Sequence, residues 1–317
     1  MTVKYLVTGG AGFIGSHVVE LMLRRGHSVV VLDNFSTGKR DNLDQVRRAV
    51  GTGELLVVEG SITRAADVAR AAGGCRGIVH LAALPSVVRS VEEPLESHDH
   101  NVTGTVTVLD RARRDGIKVV YAGSSSAYGD QDAPYKREDM REMPLSPYAA
   151  SKLAGELYCR SFARVYGLPI VVTRFFNVFG PRQTPDSPYS GVVAAFCFAF
   201  LRGKPPRIDG DGSQSRDFTY VSDVARGVLL ALETPTTGCE TVNLACAGNH
   251  TINDLLSILR GHAGSNLQPI HAPPRTGDVM HSRADISRIE TLLGFAPEVS
   301  FAEGLRLTFD WYRRTYR

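Results

Sequence analysis

The chain has 317 residues, of which 43% are hydrophobic and 22% are charged, and its formal net charge at pH 7 is +3. This length suits one large α/β unit with a smaller lobe. The low net charge, without a basic run, argues against nucleic acid or a membrane surface as the main partner. The longest apolar stretch, Val192–Leu201, is too short to span a bilayer and predicts a buried helix.

Five cysteines occur without CxxC or Cys/His spacing. Their pattern predicts neither a disulfide framework nor a zinc site, and we expect no bound metal. The first apolar run begins at Lys4, which leaves no room before it for a signal peptide. These features favour a cytoplasmic protein.

Apolar runs rich in β-branched residues predict strands in the first half of the chain, at Lys4–Thr8, Ser28–Asp33, Leu55–Glu59, 77–81, 119–122 and 170–174. Segments with helical periodicity lie between them, around 17–25, 63–72, 101–115 and 147–166. Regular alternation of strands and helices is typical of a parallel sheet with crossover helices. The sequence therefore predicts an α/β fold with a Rossmann-type doubly wound parallel sheet.

Beyond Asn177 the composition shifts to Pro, Gly and Ser, in 180–191 and again in 203–215. This shift indicates loops and a smaller, mixed α/β lobe. A helical segment, Val221–Glu233, and a strand at 241–245 predict a return to the first lobe. We therefore expect a dinucleotide-binding domain from 1–178 and about 218–245. The substrate domain would comprise about 179–217 and 246–317.

A glycine-rich turn follows the first strand and opens the first helix. Gly9 can take backbone angles that other residues resist, Gly12 lets the backbone approach a pyrophosphate, and Gly15 permits close helix packing. Amides at the helix N-terminus then bind the anion. Asp33, at the end of the second strand, suits the ribose hydroxyls of NAD and would repel the 2′-phosphate of NADP. We interpret the basic residues 39–40, beyond that strand, as surface charge, and predict NAD.

Tyr148 and Lys152 are four residues apart on a predicted helix, so their side chains share one face. A phenol, which normally titrates at about pH 10, becomes a useful base when positive charge stabilises its phenolate. Lys152 supplies that charge one turn away, and the Ser124 hydroxyl completes the set. The three residues predict hydride-transfer chemistry.

Eight signatures in order resemble the extended short-chain dehydrogenase/reductase family, and within it the nucleotide-sugar epimerase branch. They are TGGAGFIG at Thr8, LDNFSTGK at Leu32, HLAA at His80, SSSAYG at Ser124, YAASK at Tyr148, RFFNVFGPRQ at Arg174, RDFTYVSDV at Arg216 and RTGDVMHS at Arg275. One departure is Ser61, where the family usually has an aspartate that touches adenine. This substitution implies a weaker hold on adenine.

The resemblance implies two sets of binding residues. The NAD site would comprise Gly9, Gly12, Phe13, Ile14, Asp33, Asn34, Ser36, Thr37, Gly38, Ser61, Ile62, Leu81, Ala82, Ala83, Asn101, Tyr148 and Lys152. The UDP-sugar site would comprise Pro85, Ser124, Ser125, Ser126, Tyr148, Asn177, Val192, Ile208, Arg216, Arg275, Asp278 and Ser282. Within the second set, Arg216 and Arg275 would clamp the diphosphate, because guanidinium groups suit phosphate oxygens. Asp278 would bind the uridine ribose, and Val192 and Ile208 would border uracil.

Ser125 and Ser126 occupy positions where related dehydratases carry an Asp-Glu pair and related decarboxylases carry a glutamate. Eliminating water or moving a proton at C5 needs carboxylate groups, which hydroxyls replace poorly. The chain is therefore expected to oxidise the sugar at C4 and return the hydride to the opposite face. Tyr148 would act as base and then as acid, Lys152 would lower the tyrosine pKa, and Ser124 would relay the proton of O4.

In the epimerases that the chain resembles, the position of Ser282 is a tyrosine when only UDP-glucose and UDP-galactose are accepted. Pro85 replaces a lysine that is found in the glucose-specific enzymes. Both changes favour interconversion of UDP-N-acetylglucosamine and UDP-N-acetylgalactosamine, with UDP-glucose as a further substrate. Three alternatives stay open: a strict UDP-glucose 4-epimerase, a 4-epimerase of UDP-glucuronate or a deoxysugar nucleotide, and a non-enzymatic NAD sensor or scaffold. For the glucuronate alternative, Arg89 is the candidate partner of the carboxylate, although we expect its side chain to face solvent or a neighbouring helix. The family also implies a homodimer formed by the helices around 101–115 and 147–166.

Overall fold

The computed structural model describes residues 3–51, 53–185, 191–274 and 279–316. The central sheet contains strands β1 to β6 and β11. In chain order the strands are β1 (Lys4–Thr8), β2 (Ser28–Asp33), β3 (Leu55–Glu59), β4 (Gly77–His80), β5 (Lys118–Ser124), β6 (Ile170–Phe175), β7 (Val178–Phe179), β8 (Arg207–Asp209), β9 (Ser215–Arg216), β10 (Thr219–Tyr220), β11 (Cys239–Leu244), β12 (His250–Thr251), β13 (Ile270–Ala272) and β14 (His281–Ser282).

The helices pack on both faces of this sheet and build the smaller lobe. They are α1 (Phe13–Arg24), α2 (Arg40–Val50), α3 (Ala65–Ala72), α4 (Val87–Glu92), α5 (Pro94–His98), α6 (Gly104–Asp115), α7 (Pro147–Tyr166), α8 (Val192–Leu201), α9 (Val221–Glu233), α10 (Ile252–Ala263), α11 (Ser287–Leu293) and α12 (Phe301–Thr315). A π-helical turn (Asp99–Thr103) joins α5 to α6, and a 3₁₀ turn (Ser125–Tyr128) follows β5.

In the described part of the chain, seven parallel strands form the central sheet in the order β11-β6-β5-β4-β1-β2-β3. The order reverses beside β1, where doubly wound sheets bind their ligands. Central strands such as β2 are buried along their whole length, which explains their continuous apolar runs. The predicted Rossmann-type doubly wound sheet is confirmed.

Two apolar cores lie on opposite faces of the sheet. One contains side chains of α1 and α9, including Val18 and Val228, and the other contains side chains of α3, α6 and α7, including Val68 and Val108. The second lobe has a core of its own between α8, α10 and α12. Three short strands form a small sheet in this lobe, in the order β12-β9-β14. The domain boundaries stay a prediction.

Several element boundaries differ from those predicted. The first helix begins at Phe13, directly after the glycine turn, and β4 ends at His80. Helix α2 was not predicted, because its apolar pattern is sparse. Only three of its eleven residues are buried, namely Asn42, Leu43 and Val46. None of the helices in the described ranges has the length and apolar character needed to cross a membrane.

Candidate active site

The glycine turn between β1 and α1 brings the backbone of two loops into contact. Gly9 has φ 71°, and a Cβ there would lie 2.7 Å from the Ala82 backbone nitrogen. A Cβ on Gly15 would lie 2.1 Å from the Gly9 carbonyl oxygen. Gly12 caps α1 without a side-chain hydrogen bond, so the first amides of the helix are available to an anion. The turn therefore fits the pyrophosphate of a dinucleotide.

Asp33 ends β2 beside this turn, and its carboxylate is fixed by backbone amides. Oδ2 accepts a hydrogen bond from the Ala11 N–H at 2.9 Å, and Oδ1 accepts one from the Phe35 N–H at 2.8 Å. Burial raises the pKa of Asp33, and these two hydrogen bonds oppose the rise. Each carboxylate oxygen keeps a lone pair that suits a ribose hydroxyl. Arg40 is held by Glu59 at 2.6 Å and lies over the Phe35 ring.

The remaining residues assigned to the cofactor differ in their exposure to solvent. Asn34, Ser36 and Thr37 are exposed, Ile62 and Asn101 are buried, and Phe13, Ile14, Gly38, Ser61, Leu81, Ala82 and Ala83 are partly buried. Ser61 replaces the family aspartate, yet a carboxylate still lies beside it. Asp67 Oδ2 accepts the Ser61 N–H at 3.0 Å and also pairs with Arg64 at 2.8 Å. The sequence pattern did not indicate Asp67.

Ser124, Tyr148 and Lys152 meet where β5 ends against α7. The Ser124 hydroxyl lies 2.8 Å from that of Ser126 and accepts the Ser126 N–H at 3.2 Å. Burial raises the pKa of Tyr148, and the nearby Ser124 hydroxyl opposes this rise. Lys152 is buried, with Nζ 4.5 Å from the centre of the Tyr121 ring, and burial lowers its pKa to about 8. The structure therefore places Ser124, Tyr148 and Lys152 close together.

Asn101 and two serines support the start of α7. Asn101 Nδ2 donates to Ser151 Oγ at 3.0 Å, and Ser151 Oγ donates to the Tyr148 carbonyl at 2.8 Å. The Tyr148 N–H donates to Ser90 Oγ at 3.0 Å. Ser90 and Ser151 were missed by the sequence analysis, because these contacts join residues 58 and 50 positions apart and leave no local pattern. Asn101 lies in the π-helical turn, a feature often found at functional sites.

The residues assigned to the UDP-sugar come from separate segments. Arg216 and Ser282 are direct partners in the parallel pairing of β9 with β14, and both are partly buried. Pro85 and Asn177 are exposed, Ser125 and Val192 are partly buried, and Ile208 lies in the core of the second lobe. Arg275 and Asp278 lie outside the described residues. The binding roles of this set stay a prediction.

A buried ionic cluster supports the floor of the site. Arg174 and Glu156 are both inaccessible to solvent, and their closest contact is 2.8 Å. Glu142 pairs with Arg174 at 2.8 Å and with Arg160 at 2.7 Å. A Cβ on Gly123, the residue before Ser124, would lie 2.8 Å from Glu156 Oε1. The cluster therefore lies directly beneath the strand end that carries Ser124.

The doubly wound sheet and the glycine turn are typical of a dinucleotide-dependent enzyme. A family model described as the NAD dependent epimerase/dehydratase family matches residues 5–245. The chain therefore belongs to that family, which confirms the resemblance to extended short-chain dehydrogenases/reductases and the expectation of an NAD-dependent enzyme.

Among known proteins, the UDP-glucose 4-epimerase of Mycolicibacterium smegmatis is 38% identical over 314 residues, which are 98% of each chain. A structure of UDP-glucose 4-epimerase from Thermotoga maritima with UDP-glucose is 38% identical, with a TM-score of 0.93, covering 99% of this chain and 100% of that one. The UDP-N-acetylglucosamine 4-epimerase of Methanobrevibacter ruminantium, in complex with UDP-N-acetylmuramic acid, is 37% identical, with a TM-score of 0.92, covering 98% and 99%.

Proposed function

We propose that this enzyme interconverts UDP-N-acetylglucosamine and UDP-N-acetylgalactosamine, and that it also accepts UDP-glucose and UDP-galactose. The observation that carries the sugar assignment is the small side chain of Ser282, partly buried and paired in register with Arg216. A serine leaves room beside the sugar for a 2-acetamido group. The similarity to epimerases of both sugar types supports the broader substrate class.

The proposed chemistry needs one base, one relay and one positive charge. The cradle around Gly9 would hold NAD, which would supply a hydride acceptor for C4 and a positive charge on its nicotinamide ring. Tyr148 takes the proton of O4 and later gives it back, and the nearby Ser124 hydroxyl hydrogen-bonds O4 and relays its proton. Because burial raises the pKa of Tyr148, its phenolate depends on the positive charge of Lys152 and the cofactor.

The residues around this group favour epimerisation over the related reactions. Ser125 and Ser126 form the 3₁₀ turn after β5 and offer hydroxyls where elimination or decarboxylation would need a carboxylate. Arg89, the candidate partner of a glucuronate carboxylate, is held by both oxygens of Glu96 at 2.7 Å. These contacts favour a neutral sugar. The runner-up is a strict UDP-glucose 4-epimerase, which is the activity in the names of the M. smegmatis and T. maritima relatives.

Replacing Ser282 tests the sugar assignment. Ser282→Tyr should abolish turnover of UDP-N-acetylglucosamine and spare that of UDP-glucose, because a phenol fills the space beside C2. Ser282→Ala is the matched control, since it keeps the position small and should turn over both sugars. Both rates would be measured by NMR of the product sugars. Loss of both activities in Ser282→Tyr, or of neither, would refute the assignment.

Assays of the wild-type protein with a panel of UDP-sugars, with and without the acetamido group, distinguish the enzyme from a non-enzymatic NAD sensor or scaffold. A sensor needs the cradle around Gly9 but not the chemistry of Tyr148. Conversion of any UDP-sugar in the panel therefore excludes the sensor. Bound NAD without conversion of any of them would favour it over the proposed enzyme.

We also propose that the enzyme is a cytoplasmic homodimer that pairs through α6 and α7. The cysteines in the structure are all free, which fits a reducing compartment. On α7, Leu157 and Tyr158 are exposed, as are Val165 and Tyr166 about two turns further along the same face. Leu157→Arg should yield a monomer in light scattering, and Leu56→Arg, at an equally exposed leucine of β3, should not. A dimer that survives Leu157→Arg would contradict this interface.

A further inference from the structure

The Asp217 carboxylate is buried where three backbone segments of the second lobe meet. It follows β9 directly, and its residue is inaccessible to solvent. Oδ1 accepts a hydrogen bond from the Cys246 N–H at 3.1 Å, and Oδ2 accepts one from the Ala284 N–H at 3.2 Å. The backbone N–H of Asp217 donates to the Ser282 carbonyl at 2.8 Å. One residue thus joins β9, the turn after β11 and the segment after β14.

The segments joined by Asp217 carry residues assigned to the substrate. Ser282 pairs with Arg216 across β14 and β9, and His250 pairs with Arg216 on the other side, across β12 and β9. Arg216 Nη1 donates to the Met280 carbonyl at 3.2 Å. The position of the guanidinium therefore also depends on the segment that leads into β14. A shift of either neighbouring segment would move Arg216 relative to Ser282.

The turn after β11 needs to be held in place. Ala247 has φ 54°, a left-handed conformation that is unfavourable for a residue with a Cβ. Hydrogen bonds restrain the turn on both sides of Ala247: the Cys246 N–H is bound by Asp217, and the Ala247 carbonyl accepts from Arg283 Nε at 2.8 Å. Arg283 adjoins Ser282, so both restraints lead to the same substrate segment.

Several observations indicate that Asp217 acts as a charged acceptor. Burial raises its pKa to about 6, while the backbone hydrogen bonds and the positive charge of Arg283 oppose the rise. The carboxylate is therefore ionised at neutral pH, and hydrogen bonds to an ionised acceptor are roughly twice as strong as neutral ones. An asparagine would keep the size of the side chain. It would replace one acceptor oxygen by an N–H donor that faces a backbone N–H.

We propose that Asp217 is a positioning residue for the nucleotide end of the substrate: it holds the turn 246–248 and the segment 282–284 against β9, so that Arg216 and Ser282 keep the spacing that binds the diphosphate and admits the sugar. This inference rests on the proposed function. It assigns Asp217 an effect on substrate affinity, with no contact to the reacting atoms.

Asp217→Asn tests the inference, with Asp223→Asn as the matched control. Asp223 is also inaccessible to solvent, accepts hydrogen bonds from the Glu298 and Val299 amides at 3.1 and 3.0 Å, and pairs with Arg226 at 2.9 Å. We expect Asp217→Asn to raise KM for the UDP-sugar and Kd for UDP about tenfold or more, with kcat within about threefold and NAD content unchanged. Asp223→Asn should lower the melting temperature and leave both constants unchanged. Equal effects of the two variants on KM and Kd, or an unchanged Kd in Asp217→Asn, would overturn the inference.

Hydrogen exchange in the wild-type enzyme provides a test that does not depend on a variant folding. Adding UDP should slow exchange of the Cys246 and Ala284 amides several-fold and leave the Glu298 and Val299 amides unchanged. Unchanged exchange at Cys246 and Ala284 in UDP-saturated enzyme would contradict a positioning role. If the wild-type enzyme binds no UDP, the proposed function itself fails. If it binds UDP and Asp217→Asn binds it equally well, only this inference fails.

Discussion

Gly15→Ala should impair NAD binding, because the turn between β1 and α1 has no space for a methyl group. The new Cβ would lie 2.1 Å from the Gly9 carbonyl oxygen and 2.8 Å from Gly10 Cα, against an ordinary contact of at least 3.4 Å. Relief of the closer clash needs a movement of about 1.3 Å. Both nearby atoms belong to the backbone, so α1 and the turn would separate, and the amides that face the pyrophosphate would move with them.

The expected loss of affinity follows from the cost of overpacking. Inserting a methyl group into a packed site costs about 1–3 kcal/mol, and about 1.4 kcal/mol corresponds to a tenfold change in an equilibrium constant. We therefore expect NAD affinity to fall by roughly 5- to 150-fold. The assay is calorimetric titration of NAD into protein stripped of cofactor, with circular dichroism to verify folding.

Gly261→Ala is the matched control, because Gly261 is also a helical glycine and a Cβ there would meet no atom within 4 Å. Alanine favours a helix by up to about 1 kcal/mol over glycine, so this variant should be as stable as wild type or more stable, with unchanged NAD affinity. A folded Gly15→Ala enzyme with wild-type affinity for NAD would refute the assignment of the turn to the cofactor.

Three further predictions concern the reacting group and its support. Tyr148→Phe should lower kcat by about 10²- to 10⁴-fold and leave the Kd for UDP unchanged, because it removes only the proton-transfer group; a wild-type kcat would contradict the mechanism. Lys152, whose pKa burial lowers to about 8, loses its charge above that pH, so kcat/KM should decline at alkaline pH. The residual activity of Lys152→Arg should not show this decline, because its guanidinium stays charged. Identical pH profiles of kcat/KM in the wild type and in Lys152→Arg would exclude Lys152 as the cause of the decline. Glu156→Gln, which removes the fully buried carboxylate from Arg174 and leaves Glu142 as its charged partner, should reduce the free energy of unfolding in urea by about 3 kcal/mol. Asp44→Asn, at an exposed pair with Arg47, should shift the urea midpoint little, and equal shifts in the two variants would contradict a structural role for the cluster.

Local sequence signals predicted the sheet well because they report on local structure. The β2 run is buried along its length, and the glycine turn has the backbone geometry that its spacing indicates. Tyr148 and Lys152 were found together because a helix places residues four apart on one face.

The unpredicted features depend on contacts between distant parts of the chain. Asp217 bonds to backbone amides 29 and 67 positions away, and Arg174 meets Glu156 across 18 positions and two elements. Such contacts depend on tertiary packing and have no periodicity of their own. For the same reason, the raised pKa of Tyr148 was not evident, since spacing indicates the nearby lysine but not the extent of burial.

We propose that the enzyme oxidises C4 and returns the same hydride to it, carried by NAD held in the site. The most direct measurement uses UDP-N-acetylgalactosamine deuterated at C4, incubated in ordinary water with enzyme that carries only its copurified NAD, and analysed by NMR. We expect the UDP-N-acetylglucosamine product to retain deuterium at C4. Product that has lost this deuterium to solvent, or NAD-loaded enzyme that converts no UDP-sugar, would contradict it.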